Sequence, residues 1–463
     1  MTEVNPACSG RQTASPEVTS SSVPDLAAEP ASSRFSLPSD LSTAWIPPSA
    51  RHLLLPLGAA VCLALFGDLT LYAVLATERE VVGLSLGAVG VMLAANRLIR
   101  IPGNPIVGTL FDRRGRRWLF ILGMVLGVLS TAAYGIVRGA VPFLVARLVW
   151  GIAWMLINIG GTTMILDVTT AANRGRLVGI YNAWMLGGFA AGPLVGGFLV
   201  DGLGFRSAML ICAACTAAGL LLALLRLPET VPVSRHTMTA RAGSTDPARR
   251  GMALWRDGIR IYLDNPRLLT AALLHLLVLF VGEGIALSTL NLWLQERLGV
   301  TVTVRGLVVG IAAASGFLAG ARALVAGLVG PLAGKLSDKT QRRGAIVAAG
   351  MLVSAVGLAW LAFTASPLSI LMAVLLSALG DGTVRATLTA TLGDAAPAAK
   401  TGLVLGFYVT IGDVGSTLGP VLAFALLPVV GLQQLYIVCA VVFSVGMGLI
   451  WWYQKRRNGR PGP

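Results

Sequence analysis

From residue 53 to residue 453 the chain is a succession of apolar runs separated by short polar stretches. A helix that crosses a bilayer needs about 20 apolar residues at a rise of 1.5 Å each. On that measure the chain predicts spans at 53–77, 84–108, 118–138, 141–164, 177–200, 206–226, 268–294, 305–333, 344–364, 367–391, 402–427 and 432–453. The expected fold class is an all-α membrane protein, with twelve transmembrane helices in two pseudo-symmetric six-helix bundles.

Lys and Arg sort by loop. After spans 2, 4, 6, 8 and 10 come Arg113, Arg114, Arg116 and Arg117; Arg174 and Arg176; a long Arg-rich loop; Lys335, Lys339, Arg342 and Arg343; and Lys400. The other loops hold only Arg79, Arg138, Arg206, Arg297 and Arg305. The positive-inside rule then puts both termini and the even loops in the cytoplasm. An odd number of spans would break this alternation. The expected organisation is a disordered, Ser/Pro/Ala-rich cytoplasmic tail (1–50), a first bundle (51–226) and a cytoplasmic linker (227–267). A second bundle (268–453) and a basic cytoplasmic tail (454–463) complete it. Within the linker, Leu254–Tyr262 suits an amphipathic helix lying at the interface.

The two halves repeat each other. Gly108-Thr-Leu-Phe-Asp112-Arg113 returns as Gly334-Lys-Leu-Ser-Asp338-Lys339, and Arg117 then falls on Arg343. Asp167, Gly175, Gly179, Tyr181, Gly188, Gly192 and Pro193 return as Asp394, Gly402, Gly406, Tyr408, Gly415, Gly419 and Pro420. Six spans per repeat keep both halves in the same orientation, the arrangement in which two bundles rock about a central site.

Composition narrows the classes. Charged residues are 12% of the 463, against roughly 25% in a soluble chain. Lipid as the outer solvent accounts for that deficit. The net charge of +15 first suggests nucleic acid, but the basic residues are scattered over many short loops, so no nucleic-acid partner is expected. Cys212-x-x-Cys215 lies within an apolar run and reads as packing. Three histidines, with no nucleophile–base or metal constellation, argue against an enzyme. No cofactor or metal is expected. A sensor would be expected to carry a folded regulatory domain, and neither the tail nor the linker looks foldable.

The loop Gly108-x-Leu-x-Asp112-Arg113-x-Gly115-Arg116-Arg117 resembles the helix 2–3 signature of the major facilitator superfamily. Arg147-x-x-x-Gly151 is similar to the start of that family's helix 4 signature. Gly179-x8-Gly188-x3-Gly192-Pro193-x2-Gly197, with Gly196, resembles the helix 5 motif of its proton-driven exporters. The resemblance covers about residues 53–453. The second half departs from it: nothing there matches Gly115, and Ala423 and Phe424 stand where a glycine pair would follow Gly419-Pro420.

The resemblance implies a cytoplasmic gate. Gly108 would let helix 2 approach a neighbour, Asp112 would face the N-terminus of helix 11 near Thr401-Gly402, and Arg116 would reach Asp167. Asp338 is the counterpart in the second half. These contacts are expected only when the cytoplasmic side is shut; the plainer reading is that Arg113–Arg117 serve topology. The strip Gly188, Gly192 and Gly196, kinked by Pro193, is expected from the family to pack on helix 8 of the other half and seal the interface.

Charged groups in hydrocarbon must face the interior or water. The candidates are Asp68 on helix 1, Arg97 and Arg100 on helix 2, Arg147 on helix 4 and Glu283 on helix 7. Arg322 on helix 8, Asp381 and Arg385 on helix 10, and Asp413 on helix 11 complete the set. Helices 1, 4, 7 and 10 line the family's cavity, and each carries a charge here. Asp68 and Arg147 lie about 14 Å and 9 Å from the periplasmic ends of their helices, so they can meet, as in similar exporters of the family. Asp68 then reads as a proton-binding carboxylate held by Arg147, or as one half of a permanent ion pair. Asp381 and Arg385, four residues apart, are expected to pair within helix 10. Arg97 or Arg100 is an alternative partner for Asp68. Glu283 is a second proton or substrate candidate, and His275 reads as packing. Trp154, Trp184, Trp293 and Tyr408 are candidate pocket aromatics.

The expected function is secondary transport by alternating access, as proton-coupled export of a small organic solute. The alternative is proton-coupled uptake of a nutrient or organic anion. The expected partners are a small-molecule substrate, protons and the lipid bilayer. The expected location is a multi-pass place in a bacterial inner membrane, with the chain acting as a monomer.

Overall fold

The computed structural model describes residues 48–169, 173–230, 247–304, 307–397 and 400–458. The expectations for 1–47, for 231–246 of the linker and for 459–463 fall outside these residues. The side chains of Asp112, Arg113, Thr401 and Gly402 also lie outside the described set, and with them the expected meeting of Asp112 with helix 11.

The first half is helical throughout: α1 (Pro48–Val74), α2 (Leu86–Leu98), α3 (Arg100–Arg113), α4 (Arg116–Ile136), α5 (Ala140–Asp167) and α6 (Arg174–Arg226). Span 2 is therefore two helices that meet at Ile99. Pro102 has no N–H to offer Leu98 O, so the backbone ladder loosens one turn before it. Spans 5 and 6 are one 53-residue element that turns at Gly204. There φ is +79°, a conformation that costs little only without a Cβ.

The second half opens with the amphipathic α7 (Pro247–Asp264), which is longer at both ends than the expected interfacial helix. Tyr262 donates its hydroxyl proton to Val404 O (2.7 Å) and Trp255 meets Phe407 edge-on. Span 7 is α8 (Pro266–Leu279), a π-helical turn (Phe280–Ala286) and α9 (Leu287–Leu298). Span 8 does not begin at 305 as expected. An antiparallel hairpin, β1 (Thr301–Val304) with β2 (Leu307–Gly310), precedes α10 (Ile311–Thr340). Thr and Val, β-branched, favour extended backbone there. Spans 9 to 12 are α11 (Arg343–Phe363), α12 (Pro367–Ala395), α13 (Thr401–Val430) and α14 (Leu432–Asn458).

Among the described residues nine helices are long and apolar enough to cross a membrane. The 53-residue α6, roughly 80 Å along its axis, crosses twice. The broken span 2 falls below the length limit, and α14 has a shorter apolar part, Leu432–Gly448. With these the described residues accommodate the expected twelve spans in two similar bundles. The repeat is visible in the helix starts: α4 begins at Arg116 and α11 at Arg343. Arg116, not Arg117, is therefore the counterpart of Arg343. From Gly334 to the start of α11 the second half has one residue more than the first has from Gly108 to the start of α4, which a motif match anchored on Gly108 misses.

The cores are ordinary hydrophobic packing: Trp150, Phe120 and Tyr134 are fully buried in the first bundle, Trp293, Tyr436 and Phe443 in the second. Val429, Leu225 and Phe363 are largely exposed, as expected where lipid replaces water.

The bundles meet along two seams, α6 against α10 and α2 against α13. We call the end that carries Arg116 and Arg343 the basic end. At the opposite, far end the backbones touch. A Cβ on Gly197 would collide with Ala312 O and one on Gly316 with Pro193 O; one on Gly90 would sit 2.6 Å from Pro420 O. Ser315 donates to Ala73 O (2.9 Å) and Asn291 Nδ2 to Thr77 Oγ1 (2.9 Å). Toward the basic end, an added Cβ at Gly108, Gly179, Gly334 or Gly406 meets nothing within 4 Å. The close approach expected of Gly108 is thus not made here. The bundles thus touch backbone to backbone at the far end, and these four glycines make no such contact at the basic end.

The glycine strip of span 5 does not pack as expected. Gly188, Gly192 and Gly196 face α1, against Cys62, Phe66 and Thr70. Thr70 Oγ1 donates across this contact to Gly192 O (2.9 Å). Span 8 is met instead by Ala190, Pro193 and Gly197. At about 100° per residue these sit on the neighbouring face of the same helix, so span 5 is packed closely on two sides.

Candidate functional site

Nine charged side chains lie in the middle of the spans, and the structure joins all of them. Asp68 of α1 is salt-bridged to Arg147 of α5. Arg147 is fully buried and makes three further bonds: Nε gives to Met92 O (2.8 Å), Nη1 to Tyr134 (3.3 Å) and Nη2 to Tyr72 (3.3 Å). Asn96 Nδ2 approaches Asp68 Oδ1 at 3.5 Å. Tyr72 is the hub. Its hydroxyl donates to Leu93 O (2.8 Å) and accepts from Arg97 Nε (3.2 Å). Its ring lies beneath the guanidinium groups of Arg97 (5.1 Å) and Arg147 (5.3 Å). Sequence reasoning missed Tyr72, although its place four residues after Asp68 puts it on the same helix face.

The other charges cross between elements. Glu283, in the π-helical turn, is held by Arg97 of the first bundle (3.2 Å) and by Arg385 of the second (2.7 Å). Arg100 pairs with Asp413, again from bundle to bundle. Asp381 pairs with Arg322 on the adjacent α10. The expected Asp381–Arg385 pair within one helix is therefore replaced by two pairs between helices. Spacing along one helix says which side chains share a face, not which neighbour faces them. Likewise Arg97 and Arg100 turn to the second bundle, and Asp68 is left to Arg147. Arg385 has 41% of its side chain exposed, far more than the other charges of the group. His275 stacks on Tyr408 at 3.9 Å. Trp293 is buried in the second bundle's core beneath Arg297.

At the basic end Arg116 reaches Asp167 (Nε–Oδ2, 3.3 Å), and Arg343 bonds Asp338 (3.2 Å) and Asp394 (2.9 Å). They were expected to form only on closure. Each links helices of one bundle, so rocking the bundles does not strain them. Glu229, just beyond α6, accepts from the backbone N–H groups of Arg116 (2.9 Å) and Arg117 (3.1 Å). It thus caps α4 where the loop offers no capping side chain.

The far end has its own helix-terminus contact. Asp201 accepts from the backbone N–H groups of Ala312 (3.3 Å) and Ala313 (2.8 Å) at the start of α10. Gly310 leaves room for that carboxylate. Asp201→Ala is expected to weaken far-end closure by about 1 kcal/mol, the worth of a helix cap. Spin labels at Glu80→Cys and Val300→Cys would read this as a gain in the separated population. Glu78 lies nearby in the loop between α1 and α2. Burial, and then the Asp201 carboxylate, raise its pKa above the ordinary 4.5. A raised carboxyl favours the protonated form of the closed end, so the closed population should fall as pH rises through the interval above 4.5. The same labels on Glu78→Gln should lose that dependence.

Residues 57–420 match the sequence model of the Major Facilitator Superfamily, with a second match over 312–463. The chain belongs to the Major Facilitator Superfamily. This superfamily member is a multi-pass membrane transporter rather than an enzyme. Curated relatives include Multidrug resistance protein MdtG of Dickeya zeae (strain Ech586), 26% identical over 80% of this chain and 85% of the relative. Multidrug resistance protein 2 of Bacillus subtilis (strain 168) is 24% identical over 86% of this chain and 94% of the relative. Among solved structures, the fold is shared with a bacterial homologue of the human lysosomal transporter Spinster, in an inward-facing, unoccupied conformation. Its TM-score is 0.72 and its identity 16%, over 90% of this chain and all of that one. A POT family transporter in complex with 5-aminolevulinic acid has a TM-score of 0.69 at 14% identity, over 89% and 96%.

Proposed function

We propose that this transporter exports a small organic solute in exchange for protons, acting as a single chain in a bacterial inner membrane with its basic end in the cytoplasm. One observation carries the reading: Asp68, an acid in mid-membrane, is paired with an arginine that stays hydrogen-bonded without it. If Asp68 takes a proton, Arg147 keeps Met92 O, Tyr134 and Tyr72. Neutralising the acid therefore does not strand a buried guanidinium, and the ion pair is able to open and close in a working cycle. Glu283 and Asp413 tie the first bundle to the second through Arg97 and Arg100. Protonating either acid would remove a bond between bundles and lower the cost of rocking. The names of the curated relatives support drug-like solutes, and the positive-inside rule supports the orientation.

A second reading has a specific observation in its favour. Five mid-span arginines face four acids, and Arg385 is the most exposed of the group, a disposition suited to an organic anion. Purified protein in liposomes holding a pH gradient separates the two. Export by antiport predicts that compounds from a toxic panel dissipate the gradient and that expressing cells tolerate those compounds better. Proton-driven accumulation of an anionic nutrient, with no compound changing tolerance, would reject export.

A further inference from the structure

A cavity away from the seams lies inside the second bundle, between α8, α11, α12 and α14 at the basic end. It encloses about 670 Å³, within the roughly 300–1,000 Å³ of small-molecule sites. Its mouth and floor differ in chemistry. Arg267, Arg342 and Arg343 stand at the mouth with Asp394 as the lining acid. Arg267 and Arg342 are exposed, and among the described residues no carboxylate pairs with either. Arg343, though bonded to Asp338 and Asp394, keeps a buried Nη1 without a partner. The first turn of α11 forms one wall and adds its positive dipole end. About 10 Å deeper along α8, the floor is Ala271, Leu274, Val347 and Leu388, all buried and apolar.

We propose that this cavity binds an anionic phospholipid from the leaflet at the basic end, with the phosphate at the arginines and part of an acyl chain on the apolar floor. Three arginines against two acids, Asp338 and Asp394, leave a net positive mouth, which attracts an anion. The mouth lies where α8 and α11 begin, which is headgroup depth for helices of this length. Basic pockets between spans at that depth suit anionic headgroups. A soluble anion would use the arginines but not the floor. The cavity also lies within one bundle and off the seams, so it is not exposed to each side in turn and is not a transport site. The proposal therefore needs only the membrane placement, not the export reading.

Native mass spectrometry of the full chain, with phosphatidylglycerol or phosphatidylcholine added, tests it. Wild type should retain phosphatidylglycerol in preference. Arg267→Gln/Arg342→Gln should weaken that retention about 30-fold, two surface arginines being lost. Ala271→Leu fills the floor and leaves the mouth intact, so it should also lose the lipid. Unchanged gel-filtration profiles would show that both variants fold. No preference for the anionic lipid, or retention unaffected by the double variant, would overturn the proposal. So would displacement by inorganic phosphate together with full retention in Ala271→Leu, which would mark a soluble-anion site.

Discussion

Asp68→Asn is expected to fold and insert but to lose proton-driven transport to background, while Arg147→Ala is expected to fail before transport can be measured. The asymmetry follows from what each substitution leaves behind. Asparagine keeps an oxygen for Arg147 and the contact with Asn96, and Arg147 still has Met92 O, Tyr134 and Tyr72. What disappears is the exchangeable proton. Removing Arg147 leaves Asp68 charged and unpaired in the bundle interior, at a cost of about 3–5 kcal/mol. It also strips partners from Tyr72 and Tyr134. The measurement is pH-gradient-driven flux in liposomes beside a thermal melt in the same detergent. Asp68→Asn with normal driven flux would remove the carboxylate from the mechanism. Arg147→Ala with a normal melt would mean that the pair contributes little to folding.

The second large effect belongs to the far-end seam. Gly197→Val and Gly316→Val are each expected to prevent far-end closure without unfolding either bundle. The atoms an added side chain would strike are backbone carbonyls of the opposite bundle, Ala312 O and Pro193 O. A flexible side chain swings away from such a clash; a helical carbonyl does not. Overpacking of this kind costs about 1–3 kcal/mol, enough to move a two-state balance about 5–150-fold. Labels at Glu80→Cys and Val300→Cys should report a separated far end, and flux should fall because one of the two states is lost. Gly188→Val makes the control. Its clash is with Cys62 and Leu65 of the same bundle, so it should lower the melting temperature rather than shift the labels.

Much of the fold was legible in the sequence because lipid imposes a simple rule: a span is a long apolar run, and its flanks sort by charge. The break at Ile99 was not, since a run containing Pro102 and Pro105 still looks continuous in hydropathy. The hairpin at 301–310 was hidden for the same reason, as Val-rich sequence suits a helix start and a strand alike. For the charged group, depth along a helix was readable and brought Asp68 level with Arg147. Azimuth was not. Asp381 and Arg385 share a face of α12, yet one meets α10 and the other meets the π-turn, because neighbours are chosen by packing. Tyr72 and Glu229 escaped notice for a different reason: an aromatic in an apolar run and an acid in a polar loop carry no visible oddity until their partners are in place.

The widened turn at Phe280–Ala286 holds seven residues. Such a turn takes up one extra residue locally, so a relative one residue shorter there would regain regular winding while the helix beyond it kept its orientation. Asn291 would still meet Thr77, but Glu283, inside the turn, would lose its place between two arginines of opposite bundles. The mid-membrane sharing of charge thus hangs on one local residue count, whereas the far-end contact is independent of it.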